Sequence, residues 1–210
     1  MPKPSIGFGF LFPIGGIEME KKIQRNNMLT ILNRMDETEH EKLSQIIVDR
    51  FISSEEFKRA QIIGITISRF PEVNTIPLIE AAWAAGKRVT VPRCIPKTRE
   101  MDFREITTFN NLKIDYMDLL EPIVAETEAV KKENVDIQIV PGVVYSNNGY
   151  RIGYGGGYYD RYLNDFSGII VSLALECQIV STVPIESHDI PVSKLFTERR
   201  LITCLKDEWL

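Results

Sequence analysis

The chain has 210 residues, 44% hydrophobic and 26% charged with 11 prolines, a balance that excludes disordered and fibrous proteins. With a net charge of −4 and no long basic run, it lacks the contiguous basic face that nucleic-acid backbones or anionic membranes require. Cys94, Cys177 and Cys204 form no CxxC pair, which argues against a disulfide framework or zinc site, points to a reducing cytoplasm, and leaves them as small buried apolar residues.

The opening GFGFLFPIGGI is too short and glycine-rich to span a bilayer, and no small-x-small cleavage site comes after Lys3 before EMEKK. Residues 1–18 read as foreign to the rest of the chain. Gly15 and Gly16 lie just upstream of Met19, and their codons can spell a purine-rich ribosome-binding sequence. The expected start is therefore Met19, with 1–18 a non-native extension and 19–210 a single domain. From Glu20 to about Ala60, apolar residues at spacings of three and four predict two amphipathic helices, the second opened by Asp36 with Glu39. QIIGITI, 61–67, predicts a strand buried on both faces. After the loop SRFPEVN, residues 75–86 predict a short helix with Thr75 or Asn74 as cap, Pro77 in its first turn and Gly86 as its stop. RVTVP, 88–92, completes a βαβ unit and implies a parallel sheet. Residues 100–106 alternate as a half-exposed strand does, and 107–134 are polar and mixed. DIQIVPG, 136–142, and GIIVSLAL, 168–175, predict further strands, and RRLITCL, 199–205, an edge strand. The sum is α/β: three layers, with helices on both sides of a mostly parallel sheet.

Ligands of such sheets sit outside the carboxyl ends of the strands, which directs attention to SRFPEVN, to PGVVYSNNGYRIGYGGGYYDRY and to 176–189. Gly149, Gly153, Gly155, Gly156 and Gly157 place five of the chain's 13 glycines within nine residues. Glycines admit positive φ and let backbone N–H groups approach an anion, and the helix that YYDRYL begins turns its first amides toward the same place. The Lys-Ser/Thr of a P-loop is missing, and the spacing is too dense for a dinucleotide fingerprint. Asp160, flanked by Arg151 and Arg161, suits Mg²⁺, with Asp189 as a second carboxylate. The glycines alone leave nucleotide, sugar phosphate and CoA open as ligands.

PGVVYSNNGYRIGYGGGYYDRYL resembles the signature of the 5-formyltetrahydrofolate cyclo-ligase family, and the resemblance extends from about Lys21 to Cys204 through LTILNRMD, ISRFPEVNT, GKRVTVPR, MDFR, LLEPI and VPIESHDIPV. It implies a NagB/RpiA/CoA-transferase-like α/β/α fold. It also implies an ATP- and Mg²⁺-dependent cyclisation of 5-formyltetrahydrofolate to 5,10-methenyltetrahydrofolate with release of ADP and phosphate. By position, Lys21 and Arg25 match a pair that reaches ATP. Arg151, Ile152, Gly153, Tyr154, Gly155, Gly156, Gly157, Tyr158 and Tyr159 match the rest of the ATP site, with Arg151 and Tyr158 as catalytic residues. Ile67 and Glu72, with Tyr154, Gly155, Gly156, Gly157 and Tyr158, match the substrate site, and Asp160 and Asp189 match the metal positions. Many relatives carry Arg or Lys where this chain has Tyr154 and Gly156, so phosphate neutralisation falls to Lys21, Arg25 and Arg151. A further acidic residue of some relatives is Ser193 here.

The chemistry asks for positioning and charge stabilisation and for no nucleophilic side chain, which fits the absence of a Ser-His-Asp or Cys-His pattern. His40 and His188 are expected to be solvated or structural. The expected protein is a cytoplasmic monomer acting on small molecules, with neither nucleic-acid nor membrane partners. The alternatives are a nucleotide- or sugar-phosphate-binding protein of the same fold without ligase activity, and a CoA-transferase-like enzyme with Glu176 as its late-strand carboxylate.

Overall fold

The computed structural model describes residues 14–115 and 119–204. Three helices open the fold: α1 (Ile14–Leu32), α2 (Glu37–Ile52) and the single turn and a half of α3 (Glu55–Arg59). The first crosses the boundary expected at residue 18, and residues 1–13 lie outside the described residues. Asp36 caps α2 by accepting from the Glu39 N–H at 3.1 Å, and Ser54 caps α3 by accepting from that of Phe57 at 3.2 Å. The chain then runs through β1 (Ile62–Gly64), α4 (Ile76–Ala84), β2 (Arg88–Ile95), β3 (Glu100–Ile106), β4 (Leu112–Ile114), β5 (Leu120–Pro122) and β6 (Glu128–Ala129). It ends with β7 (Ile137–Ile139), β8 (Val144–Ser146), β9 (Arg151–Ile152), α5 (Tyr158–Leu163), β10 (Ile169–Leu173), β11 (Ile179–Val180), β12 (Lys194–Phe196) and β13 (Leu201–Thr203). No described helix is long and apolar enough to cross a membrane.

The main sheet has the order β13-β12-β10-β7-β1-β2-β3-β6. Its five central strands, β12 to β2, pair in parallel, and antiparallel strands close both ends. Side chains alternate between two clusters. Ile137, Ile139, Val171 and Phe196 join α1, α2, α3 and α4 on one face, whereas Val140, Ile170, Ala174 and Leu195 join α5 on the other. These are the two faces of a three-layer sandwich. Phe51 locks the first face, with edge-on contacts to Phe57 at 5.7 Å and Phe196 at 5.0 Å.

Expected strands are shorter than their apolar runs, because only Ile62–Gly64 and Ile137–Ile139 form ladder pairs while the flanking residues turn into loops. The edge strand falls at Leu201–Thr203, and residue 205 lies outside the described residues. Sequence reading misses β12, whose three residues come after a proline-bearing loop and carry too little pattern. It also misses the small sheet β11-β8-β9. The expectation of buried cysteines is corrected at Cys177, which is exposed, while Cys94 is intermediate and Cys204 buried. His40 is not solvated: it is 2% exposed, its Nε2 lies 3.2 Å from the Pro71 carbonyl oxygen, and Phe70 packs edge-on against its ring.

At the sheet's centre, a Cβ built on Gly64 would lie 2.2 Å from Oε1 of the fully buried Gln138. The glycine is there because the strand beside it carries an amide into its space. We expect Gly64→Ala to lower stability by about 1–3 kcal/mol, the cost of an overpacked core. The urea midpoint checks this.

Candidate active site

The parallel order reverses between β1 and β7, since β1 leads to β2 on one side while β7 leads to β10 and β12 on the other. Beyond the carboxyl ends at that switch point lies a pocket lined by Thr66, Ser68, Glu72, Gly142, Tyr145 and Gln178 among others. The glycine loop connects β9 to α5. Its backbone turns on Gly155, φ 99°, and Gly157, φ 66°, in the left-handed region that disfavours a Cβ. The Tyr158 ring lies on Gly156, with a Cβ there only 2.7 Å from its nearest carbon. Helix α5 has six residues, so any partial charge at its start comes from its first few amides.

Helix α1 carries two cations to this loop. Arg25 Nε donates to the Gly153 carbonyl at 2.6 Å, and its guanidinium carbon lies 3.6 Å from where a Gly155 Cβ would stand. Burial lowers the pKa of this guanidinium, with Glu18 opposing the shift. One turn earlier, Lys21 Nζ donates to Asp189 Oδ2 at 2.6 Å and Glu186 Oε2 at 2.8 Å. Burial by itself lowers the lysine's pKa, but the hydrogen bonds to Asp189 and Glu186 outweigh it and the net shift is upward. Lys21 and Arg25 thus share one helix face, as their spacing requires.

Arg151 ties the remaining parts together. Its guanidinium donates to Asp160 Oδ1 at 2.9 Å and to the carbonyl of Ile190, the neighbour of Asp189. Of the two candidate metal carboxylates, Asp160 thus pairs with Arg151 and Asp189 with Lys21, while Arg151 reaches only the backbone next to Asp189. Glu186 adds a third carboxylate that the sequence reading did not single out. It belongs to a tight turn in which Asp189 Oδ2 accepts the Glu186 N–H at 2.8 Å. Candidate ligand atoms of Glu186, His188 and Asp189 lie within 4.8 Å of one another. Lys21 and Arg151 pair with the carboxylates Asp160, Glu186 and Asp189, while Arg25 and Arg161 hold backbone carbonyls of the loop at Gly153 and Gly157.

On the other side of the loop stands Glu72. Its Oε2 accepts the Arg69 N–H at 3.0 Å, and the Tyr154 phenol is a near neighbour of its carboxylate. Burial pushes its pKa up, and these two neighbours offset only part of the rise. Tyr154 stays half exposed, its hydroxyl rendered less acidic by burial and by the charge of Glu72. Glu72 thus stands close to the same loop that Arg25 holds. Of the other candidate residues, Ile67 packs half-buried on the first cluster and Tyr159 on the second. Ile152 is 1% exposed and its carbonyl accepts the Val143 N–H at 2.8 Å, so neither its side chain nor its carbonyl is open to a ligand. Ser193 Oγ donates to the Ile170 carbonyl at 2.7 Å. Glu176 is bound by Arg200 at 2.8 Å and accepts the Thr197 hydroxyl at 2.6 Å, which leaves it a poor nucleophile.

A model of the 5-formyltetrahydrofolate cyclo-ligase family matches residues 17–198. The chain is 28% identical to the 5-formyltetrahydrofolate cyclo-ligase of Escherichia coli over 78% of its own length and 92% of the relative's. It is 26% identical to a Caenorhabditis elegans protein described as "Probable 5-formyltetrahydrofolate cyclo-ligase", over 90% and 98%. Among solved structures, 5,10-methenyltetrahydrofolate synthetase of Aquifex aeolicus superposes with a TM-score of 0.79 at 29% identity, covering 90% of this chain and 95% of that one. With a family model spanning the helix that bears Lys21 and Arg25, the glycine loop and the Asp189 turn, the chain belongs to the 5-formyltetrahydrofolate cyclo-ligase family.

Proposed function

We propose that this protein is an ATP- and Mg²⁺-dependent ligase that closes 5-formyltetrahydrofolate to 5,10-methenyltetrahydrofolate, forming a carbon–nitrogen bond and releasing ADP and phosphate. The observation that carries this reading is the glycine loop fastened by Arg25 at Gly153, with Glu72 close enough for its charge to act on the Tyr154 phenol of the same loop. An anion cradle and a half-buried carboxylate beside one short segment suit transfer between a nucleotide and a nitrogen-rich ring.

A formyl oxygen on nitrogen is a poor leaving group. Transfer of the γ-phosphoryl group to it makes a good one. The substrate's second nitrogen then attacks the formyl carbon and loses its proton, the carbon–oxygen bond breaks and phosphate departs. The loop amides with Arg25, Lys21 and Arg151 stabilise the transferring charge. Asp160 and Asp189 offer hard oxygen donors of the kind Mg²⁺ takes, and these two would hold it. Bound there with the nucleotide, the ion would neutralise phosphate charge. Lys21 and Arg151, now paired with these carboxylates, would turn toward phosphate oxygens. Glu72 would accept hydrogen bonds from the aminopyrimidine edge of the substrate.

Mixing the protein with 5-formyltetrahydrofolate, Mg²⁺ and ATP should give an ATP-dependent rise of the methenyl product's near-ultraviolet absorbance. No rise would refute the reading. We expect Asp160→Asn to reduce kcat about 10–100-fold and to lower the melting temperature while leaving the protein folded, because the amide oxygen still accepts from Arg151 but no longer balances its charge. Wild-type turnover would remove Asp160 from the metal role. Because the Glu72 pKa is raised, folate affinity should fall on acidification at a pH above the ordinary glutamate value of about 4.3. In Glu72→Gln it should be weaker, and that pH dependence should disappear. Calorimetric titrations at several pH values test both.

A further inference from the structure

Tyr145 is the largest fully buried side chain of the protein, yet among the described residues its hydroxyl has no hydrogen-bond partner. The neighbouring Ser172 affects the acidity of the phenol, but it gives its own proton to the Val140 carbonyl at 2.6 Å and does not reach hydrogen-bond geometry with Tyr145. A buried hydroxyl left in this state costs free energy that an apolar ring would avoid. Phenylalanine would fill the same volume. The chain also shapes its backbone around this group: a Cβ on Gly142 would lie 2.8 Å from the phenol oxygen, so the hydroxyl rests against a glycine.

Both Tyr145 and Gly142 line the pocket at the switch point, and Glu72 lines it with them. Burial, with a smaller part from the nearby charge of Glu72, raises the pKa of the phenol, so the hydroxyl keeps its proton as a donor. Gln178, the side-chain amide of the lining, is already committed: its Oε1 accepts the Leu175 N–H at 2.8 Å, and its Nε2 donates to the Val143 carbonyl at 3.0 Å. The backbone N–H groups of Ser68 and Thr75 each donate to the other's hydroxyl oxygen, at 3.0 and 2.8 Å, and the Thr75 hydroxyl donates to the Thr66 carbonyl at 2.8 Å. The pocket therefore offers a ligand a carboxylate acceptor in Glu72 and, in Tyr145, a buried hydroxyl donor without a partner among the described residues.

The geometry points to Tyr145 as a specificity-determining residue of the folate site, its hydroxyl donating to the ring carbonyl oxygen of the substrate's aminopyrimidinone while Glu72 accepts from the adjacent N–H groups. This rests on the cyclo-ligase reading. An aminopyrimidinone edge presents amino N–H, ring N–H and carbonyl oxygen in succession. An acceptor followed by a donor is the complement of that order. The Glu72 carboxylate accepts the Arg69 N–H and, with roughly four lone-pair sites, keeps capacity for the ligand. A site that hydrogen-bonds a polar edge rejects an analogue with the reversed pattern, since its buried groups are then left unpaired.

The test compares wild type and Tyr145→Phe with 5-formyltetrahydrofolate and with its 4-amino-4-deoxy analogue, in which a donor replaces the ring carbonyl. In wild type, calorimetric binding without ATP should favour the carbonyl ligand by at least about tenfold. In Tyr145→Phe, KM for 5-formyltetrahydrofolate should rise about three- to tenfold, the worth of one neutral hydrogen bond. The KM for ATP should be unchanged, the preference over the analogue should shrink, and the melting temperature should hold or rise. A wild type that binds both ligands equally overturns the inference without recourse to the variant. So does a variant with unchanged KM and preference. Wild type that binds and converts 5-formyltetrahydrofolate while either of these holds defeats only this inference, whereas wild type that does neither defeats the cyclo-ligase reading beneath it.

Discussion

Charges withdrawn from water must be paired, and around the glycine loop that requirement joins parts of the chain far apart in sequence. Lys21 on α1 reaches Glu186 and Asp189, and Arg151 on β9 reaches Asp160 and the backbone at Ile190. The Arg151 side chain is only 4% exposed and that of Lys21 11%. Removing one partner from such a pair costs about 3–5 kcal/mol, because the other is left charged and buried. Helix α1 has an exposed outer face, with Met19, Ile23 and Ile31 more than half open to solvent. Met28 and Leu32 anchor its far end in the core, and the two cations fix its near end on the loop.

The same pairing sets what the site can do. Lys21 and Arg151 are already paired, so a phosphate would engage them only by exchange, whereas Arg25 rests on the Gly153 carbonyl rather than on a carboxylate. On the cyclo-ligase reading, a divalent ion bound with the nucleotide would supply charge to the carboxylates and so free Lys21 and Arg151 for the phosphates. That exchange would need no additional cation within the loop, where Tyr154 and Gly156 stand.

What sequence reveals here depends on the range of the forces involved. Local devices were readable: the cap at Asp36 with Glu39, the stop at Gly86, the βαβ unit and the dense glycines each act within a few residues. Lys21 and Arg25 could be placed on one face because four residues make about one turn. The partners of those cations were not readable from spacing, since Glu186 and Asp189 lie 165 and 168 residues away. Strand β12 was missed because three residues in a parallel ladder derive their structure from β10 and carry no period of their own. Tyr145 lay inside the loop segment PGVVYSNNGYRIGYGGGYYDRY with nothing in its neighbours to single it out. Its missing partner exists only as a fact of three-dimensional packing.

The sheet also divides its labour between faces. The face beneath α1, α2, α3 and α4 is packed with Ile47, Val48, Phe51, Leu78, Ile79, Ile137 and Ile139, and this is where burial supplies stability. On the opposite face the short α5 covers less, and alternation along β7 and β10 places Gln138 and Ser172 there between Ile137 and Ile139 and between Val171 and Leu173. Tyr145, Tyr159 and Tyr162 pack on that second face with unpartnered hydroxyls among the described residues, and Gln138 Oε1 is in the same condition. Interior polar atoms of this kind weaken a core unless something meets them. The pocket at the switch point takes its lining from both faces, Val73, Ile139 and Leu173 from the first and Val140 and Tyr145 from the second, so the well-packed face supplies its rigid wall and the second face its unpartnered hydroxyl.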